Sequence, residues 1–286
     1  MLKIPSVICH NAILRSYGQI FLQPSSRAGF LFVLAIAVNS LSQAIIALAA
    51  ILTSLLTARL LKVTATDISQ GLYGFNAALL ALAISNTLAV TLASLLLIIA
   101  GSALTILLLQ QFQQRSALPP FTAPYILTGW VILLIAGGLQ LSLPPLPTGT
   151  EIDQFYTAVA RGIGQVVFQD NALSGILCLA GLLCYSRLAA MWTLIASATG
   201  VFIAGILGFP EHLINNGSYS YNAVLAGIAL AAHFPRRFIL PLLGIGISIL
   251  LMRGFQLAEV PAFTAPFVLA SWLIIAVTSR IKQRRG

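Results

Sequence analysis

Three pairs of polar side chains recur at a nearly constant spacing. Gln19 pairs with Gln165 and Asn76 with Asn222, each 146 residues apart, and Thr122 pairs with Thr264, 142 apart. None of the six ionises near neutral pH, and each both donates and accepts hydrogen bonds. Such a set can hold or pass a small neutral polar solute. It cannot relay protons, because a coupled pump needs an intramembrane carboxylate or histidine chain. The acids Asp67, Glu151, Asp153, Asp170, Glu211 and Glu259 mostly fall in connections, and His10, His212 and His233 lie at segment ends or connections. No acid repeats between the halves, and no nucleophile–base pair or metal-ligand cluster stands out. An intramembrane enzyme, a metal centre and a bound cofactor are therefore not expected. Cys9, Cys178 and Cys184 are odd in number and suit neither a disulfide framework nor a metal-ligand spacing.

The polar pairs lie inside longer repeats. GLYGFNAAL at 71–79 matches GSYSYNAVL at 217–225, and GQIFLQPSSRAG at 18–29 matches GQVVFQDNALSG at 164–175. LPPFTAPYILTGW at 118–130 matches VPAFTAPFVLASW at 260–272, with seven of thirteen positions identical. The chain reads as a tandem duplication, 1–145 and 146–286, joined by the proline-rich stretch LPPLPTGTEID at 143–153. Pro119 and Pro124 bracket Thr122, and Pro261 and Pro266 bracket Thr264. Proline starts or breaks a helix. Each Thr then either caps a span or sits at a break whose freed carbonyls line a cavity. Aromatics stand beside the amides: Phe75 before Asn76, Tyr221 before Asn222, and Phe168 three after Gln165. They are packing residues, or the walls of a flat slot for a planar solute.

The elements that hold these residues follow from composition. Hydrophobic residues make up 59% of the 286, and charged residues 7%. That much apolar surface cannot be hidden in a soluble chain. Long apolar runs without strand-like alternation predict an all-α integral membrane protein. The spans read as 28–43, 44–58, 71–84, 87–110 and 123–142, then 174–186, 188–208, 218–233, 238–252 and 264–280. More polar segments at 5–22 and 154–170 precede each set and read as half-crossing or interfacial helices. With both termini in the cytoplasm, the inner connections hold Arg59, Lys62, Arg115, Arg187, Arg236 and Arg237, and the tail adds Arg280, Lys282, Arg284 and Arg285. The outer connections hold Glu151, Asp153, Glu211 and Glu259, with Arg161 and Arg253 as exceptions. This positive-inside pattern explains the net charge of +9 without a nucleic-acid partner. Five spans per half would turn the second half upside down relative to the first.

The doubled LPPFTAPY and VPAFTAPF resemble the signature of the urea transporter family. YGFNAAL, YSYNAVL and GQVVFQDN are similar to other elements of that family, and the resemblance covers essentially the whole chain. It implies two inverted halves, each of five spanning helices plus one half-membrane helix, around a central pore. It also implies a homotrimer in lipid with a pore in every subunit, and a filter with outer, middle and inner stations. Carried over by position, Gln19 and Gln165 match the polar residues of the half-helix motif. Phe168, Phe75 with Leu79, and Tyr221 with Leu225 match the slot walls, while Thr122 and Thr264 match the middle station. Leu22 takes the slot position where the family motif has Phe, and Tyr221 adds a hydroxyl. Ala172 follows Asn171 where the family has Asn-Pro, and Ser25 stands opposite Asn171. The implied activity is passive, channel-like passage of urea. A channel for short amides, ammonia or water is the nearest alternative, ahead of a secondary active transporter. The short tails point to a bacterial inner membrane.

Overall fold

The computed structural model describes residues 10–143 and 154–283. Beyond Leu143, the proline-rich join lies outside these residues, as do Cys9, Arg284 and Arg285. Among the described residues the chain is helical, without strands. The first stretch holds α1 (His10–Gln19), α2 (Ser26–Asn39), α3 (Leu41–Leu60), α4 (Ala65–Ser69), α5 (Phe75–Thr87), α6 (Leu92–Arg115) and α7 (Ala123–Gly138). The second holds α8 (Phe155–Gly164), a 3-10 turn (Gln165–Val167), α9 (Ala172–Leu183), α10 (Arg187–Ile206), α11 (Glu211–Asn215), α12 (Tyr221–His233), α13 (Ile239–Leu257) and α14 (Ala265–Gln283). Element order recurs, and so do some lengths: α3 and α10 have 20 residues each, and α5 and α12 have 13 each.

Local chemistry sets the boundaries. The side chains of Ser40 and Ser186 accept from the amides of Gln43 and Ala189, which caps α3 and α10. Ser25 caps α2 through the Ala28 amide, and Asn171 caps α9 through the Ser174 amide. The Ser–Asn departure noted in the sequence therefore preserves one task. Gly71 and Gly217, at φ +79° and +80°, turn the chain into α5 and α12. A Cβ there would lie 2.4 Å from Arg15 C and 2.4 Å from the Gly162 Cα, so only glycine fits.

Among the described residues, four helices, α3, α6, α10 and α13, are long and apolar enough to cross a membrane alone, and α8 with its turn and α9 form a further pair bent by 72°. In the segments read as spans at 71–84 and 218–233, the helices begin a few residues later than the apolar runs do. Their first residues are turns, and the helices α5 and α12 rise only about 20 Å, against roughly 30 Å of bilayer hydrocarbon. Both are sheathed by protein: Phe75–Ile84 and Tyr221–Ala231 are buried throughout. Their frequent alanines let α3, α6 and α7 close around α5, and α10, α13 and α14 around α12. The ten-residue α1 and α8 are also short, as expected for the segments at 5–22 and 154–170. α2 packs along α9, where Ser174 Oγ donates to the Ala35 carbonyl at 2.6 Å. The long helices turn Leu56, Leu60, Leu92, Leu96, Ile206 and Leu257 outward, each more than half exposed, as integration into lipid requires. The chain is an integral membrane protein.

Candidate functional site

Thr122 and Thr264 immediately precede α7 and α14. The residue before each, Phe121 and Phe263, has φ +44°, a left-handed conformation that costs non-glycine residues on the order of 1 kcal/mol. Pro124 and Pro266 then hold the second helical position, which needs no donor. Two amides at each helix start still require acceptors. Ala123 N donates to the Pro120 carbonyl at 3.0 Å and Ala265 N to the Ala262 carbonyl at 2.9 Å. Tyr125 N donates to Asn76 Oδ1 at 3.3 Å, and Phe267 N to Asn222 Oδ1 at 3.0 Å.

Asparagines from α5 and α12 thus cap α7 and α14, a task that local sequence assigns to threonine. The Thr122 hydroxyl makes no cap bond. It meets the Thr264 hydroxyl at 2.6 Å, and neither residue is exposed. Of the two roles the sequence leaves open to each Thr, the capping one is taken by the asparagines.

The surroundings are reciprocal. Trp130 Nε1 donates to the Pro261 carbonyl at 2.8 Å, and Trp272 Nε1 to the Pro119 carbonyl at 2.7 Å. The Phe121 ring lies 5.1 Å from that of Phe267, and the Phe263 ring 5.9 Å from that of Tyr125. The polar chemistry is less symmetric. The Phe263 carbonyl accepts from the Tyr221 hydroxyl at 2.6 Å and from Asn222 Nδ2 at 3.2 Å. Phe75 lacks a hydroxyl, and the buried Asn76 Nδ2 has no partner among the described residues. The Tyr125 hydroxyl is likewise buried, beside Thr264.

The other expected residues are arranged around this centre. Gln19 is buried at the end of α1 and donates to the Gln70 carbonyl at 3.1 Å. Gln165, in the turn after α8, is half-buried, and that turn contacts α12. Leu22 and Phe168 are half-buried and left-handed, at φ +59° and +58°. Leu79 and Leu225 are fully buried one turn after Phe75 and Tyr221. The structure joins the two threonines directly and brings Tyr221 and both asparagines to the same helix starts. Among the described residues, no hydrogen bond links Gln19, Gln165, Leu22 or Phe168 to them. The reading of the residues passed over Tyr125 and the two tryptophans. Their signal was available, since both tryptophans are identical positions of the repeated motif.

The arrangement is uncharged, apolar around its rim, and rich in groups that bond neutral polar molecules. A match to the family described as "Urea transporter" covers residues 10–279. "Urea transporter 1" of Rattus norvegicus is 33% identical over 135 residues, which is 44% of this chain and 35% of that protein. "Urea transporter 1" of Ovis aries is 30% identical over 139 residues, again 44% of this chain and 35% of the relative. The matched stretch thus spans about a third of these curated relatives. The chain, matched to the family over nearly its full length, belongs to the urea transporter family.

Proposed function

We propose that the chain moves urea across a membrane as a passive, channel-like pore, not as an enzyme. The observation that carries this reading is the buried Thr122–Thr264 hydroxyl pair, set where two helices begin and ringed by aromatics without a charged group. Urea is planar and neutral, with two amino groups and one carbonyl. In a dry passage it must exchange its water hydrogen bonds for protein ones or lose several kcal/mol. A urea at the centre would replace the Thr–Thr bond. It would donate an N–H to one Oγ1 and accept from the other hydroxyl. The exchange is mild, because one bond is worth about 1 kcal/mol net.

Phe75 with Leu79, and Tyr221 with Leu225, are read as walls of the slots on either side, and Leu22 and Phe168 as the corresponding residues of the half-helix turns. Gln19 and Gln165 would stand at the approaches. Ions need no fixed charge to be excluded, since desolvating them in such a slot is prohibitive. Weak bonds at several stations let the solute leave.

The reciprocal Trp–Pro and aromatic contacts support an approximate two-fold relation between residues 1–145 and 146–286. The basic inner connections support an inverted arrangement with both termini in the cytoplasm. A homotrimer with one pore per subunit, in a bacterial inner membrane, completes the reading.

Stopped-flow light scattering on proteoliposomes under an inward urea gradient tests it. Reswelling much faster than that of empty liposomes, without a proton or sodium gradient, is expected. Reswelling at the control rate from folded protein would overturn it, and formamide, acetamide and ammonia would then be tried.

A further inference from the structure

The turns at Leu22 and Phe168 share one backbone and differ in their neighbours. Each is followed by a buried glutamine that donates to the carbonyl two residues back, Gln23 to Phe21 at 3.0 Å and Gln169 to Val167 at 2.9 Å. Three further carboxamides gather at the Phe168 turn. Asn86 of α5 donates to the Phe168 carbonyl at 3.2 Å. Asn39, ending α2, donates to Gln169 Oε1 at 2.8 Å, and Gln169 Nε2 donates to Gln43 Oε1 on α3 at 2.8 Å. At the positions 146 residues later stand Ala232, Tyr185 and Ala189. There the Leu22 turn borders a cavity of about 200 Å³ lined by Leu22, Tyr185, Ala189 and Ala232 among others.

Gln169 is fully buried with both ends of its amide engaged. The other three keep capacity. Asn39 and Asn86 are exposed and Gln43 half-exposed. Among the described residues, the oxygens of Asn39 and Asn86 and the amino group of Gln43 make no protein bond. Together they offer acceptors and donors complementary to another amide.

We propose that Asn39, Gln43 and Asn86 form a loading site for small planar amides at the Phe168 end of the path, while the Leu22 end is a vestibule without such selection. The inference rests on the pore reading above. An amide arriving at the Phe168 end trades water for carboxamide partners before it enters the slot. A passive pore cannot rectify, so its permeability at low concentration is the same in both directions. A site near one end nonetheless saturates at a lower concentration when filled from that end.

The test is zero-trans urea flux in both directions across proteoliposomes of one orientation. Sidedness is assigned in a Cys9→Ala background by labelling the exposed Cys184, which adjoins Tyr185 at the Leu22 end, with an impermeant maleimide. Half-saturation is expected at a lower urea concentration from the Phe168 side. The double variant Gln43→Ala, Asn86→Ala copies Ala189 and Ala232, which the fold already accepts at the other end. It should raise half-saturation about fivefold, the loss expected for roughly one net hydrogen bond, and reduce the difference between directions. Equal half-saturation from both sides in the parent, or a folded double variant with unchanged saturation, would overturn the loading site and leave the pore standing. No urea flux in the parent would instead overturn the pore reading and this inference with it.

Discussion

The hydroxyls of Thr122 and Thr264 meet at 2.6 Å, fully buried, although the residues are 142 positions apart. They are free to meet because Asn76 and Asn222 take the helix-start amides of Tyr125 and Phe267. A capping asparagine on a neighbouring helix thereby converts two ordinary helix-start threonines into one central hydroxyl pair.

Removing one member should cost more than removing both. Thr122→Val leaves the Thr264 hydroxyl buried without its partner, a loss of about 1–3 kcal/mol, whereas the double Val variant strands neither. Thermal unfolding in detergent should show the single variants below the double one. Urea flux of the double variant should fall about tenfold if the pair serves the solute, and stay at the parent value if its role is packing alone.

The two asparagines should not be equivalent. Asn222→Leu strands the Phe267 amide and takes one donor from the Phe263 carbonyl. Asn76→Leu strands only the Tyr125 amide and also removes an unpartnered buried amino group. The Asn222 variant should be the less stable by about 1 kcal/mol. Equal destabilisation would contradict the hydrogen-bond assignment.

Tyr221→Phe removes a hydroxyl that donates to the Phe263 carbonyl at 2.6 Å. Asn222 still donates to that oxygen, so the stability cost should stay near 1 kcal/mol. The freed lone pair becomes available to a passing N–H. Half-saturation for urea should shift downward in the reswelling assay, with little change for a solute that has no hydrogen-bond donor, such as dimethyl sulfoxide.

Glycine variants should separate close packing from open surface. A Cβ at Gly175 would lie 1.8 Å from the Ala160 carbonyl oxygen, and one at Gly29 would lie 1.7 Å from that of Leu14. Gly175→Ala or Gly29→Ala should abolish folded protein in size-exclusion chromatography. Gly205, in α10, has nothing within 4 Å of an added Cβ. Gly205→Ala should fold normally and gain up to about 1 kcal/mol from helix propensity.

Much of this was legible in the residues themselves. The helix pairs α3 with α10 and α5 with α12 follow from apolar runs bounded by Ser, Thr or Gly signals that read the same at both copies. The boundaries of α5 and α12 were misplaced by a few residues, because the apolar content of Leu72 and Tyr73 hides a turn that Gly71 directs.

The sequence by itself determined the membrane class, the helical elements, the doubled motifs and the absence of charge among the repeated polar residues. All of these depend on composition and on spacing along the chain. Tertiary structure decided which groups are satisfied and by whom. Nothing local to LPPFTAPY says that its cap arrives from an asparagine 49 residues earlier, or that its threonine meets a partner 142 residues later. Nor does it reveal that α5 and α12 are shorter than the other long helices and sheathed by protein along their length. Hydrogen bonds between distant segments exist only once packing brings donor and acceptor within about 3 Å, and a linear pattern carries no record of that distance.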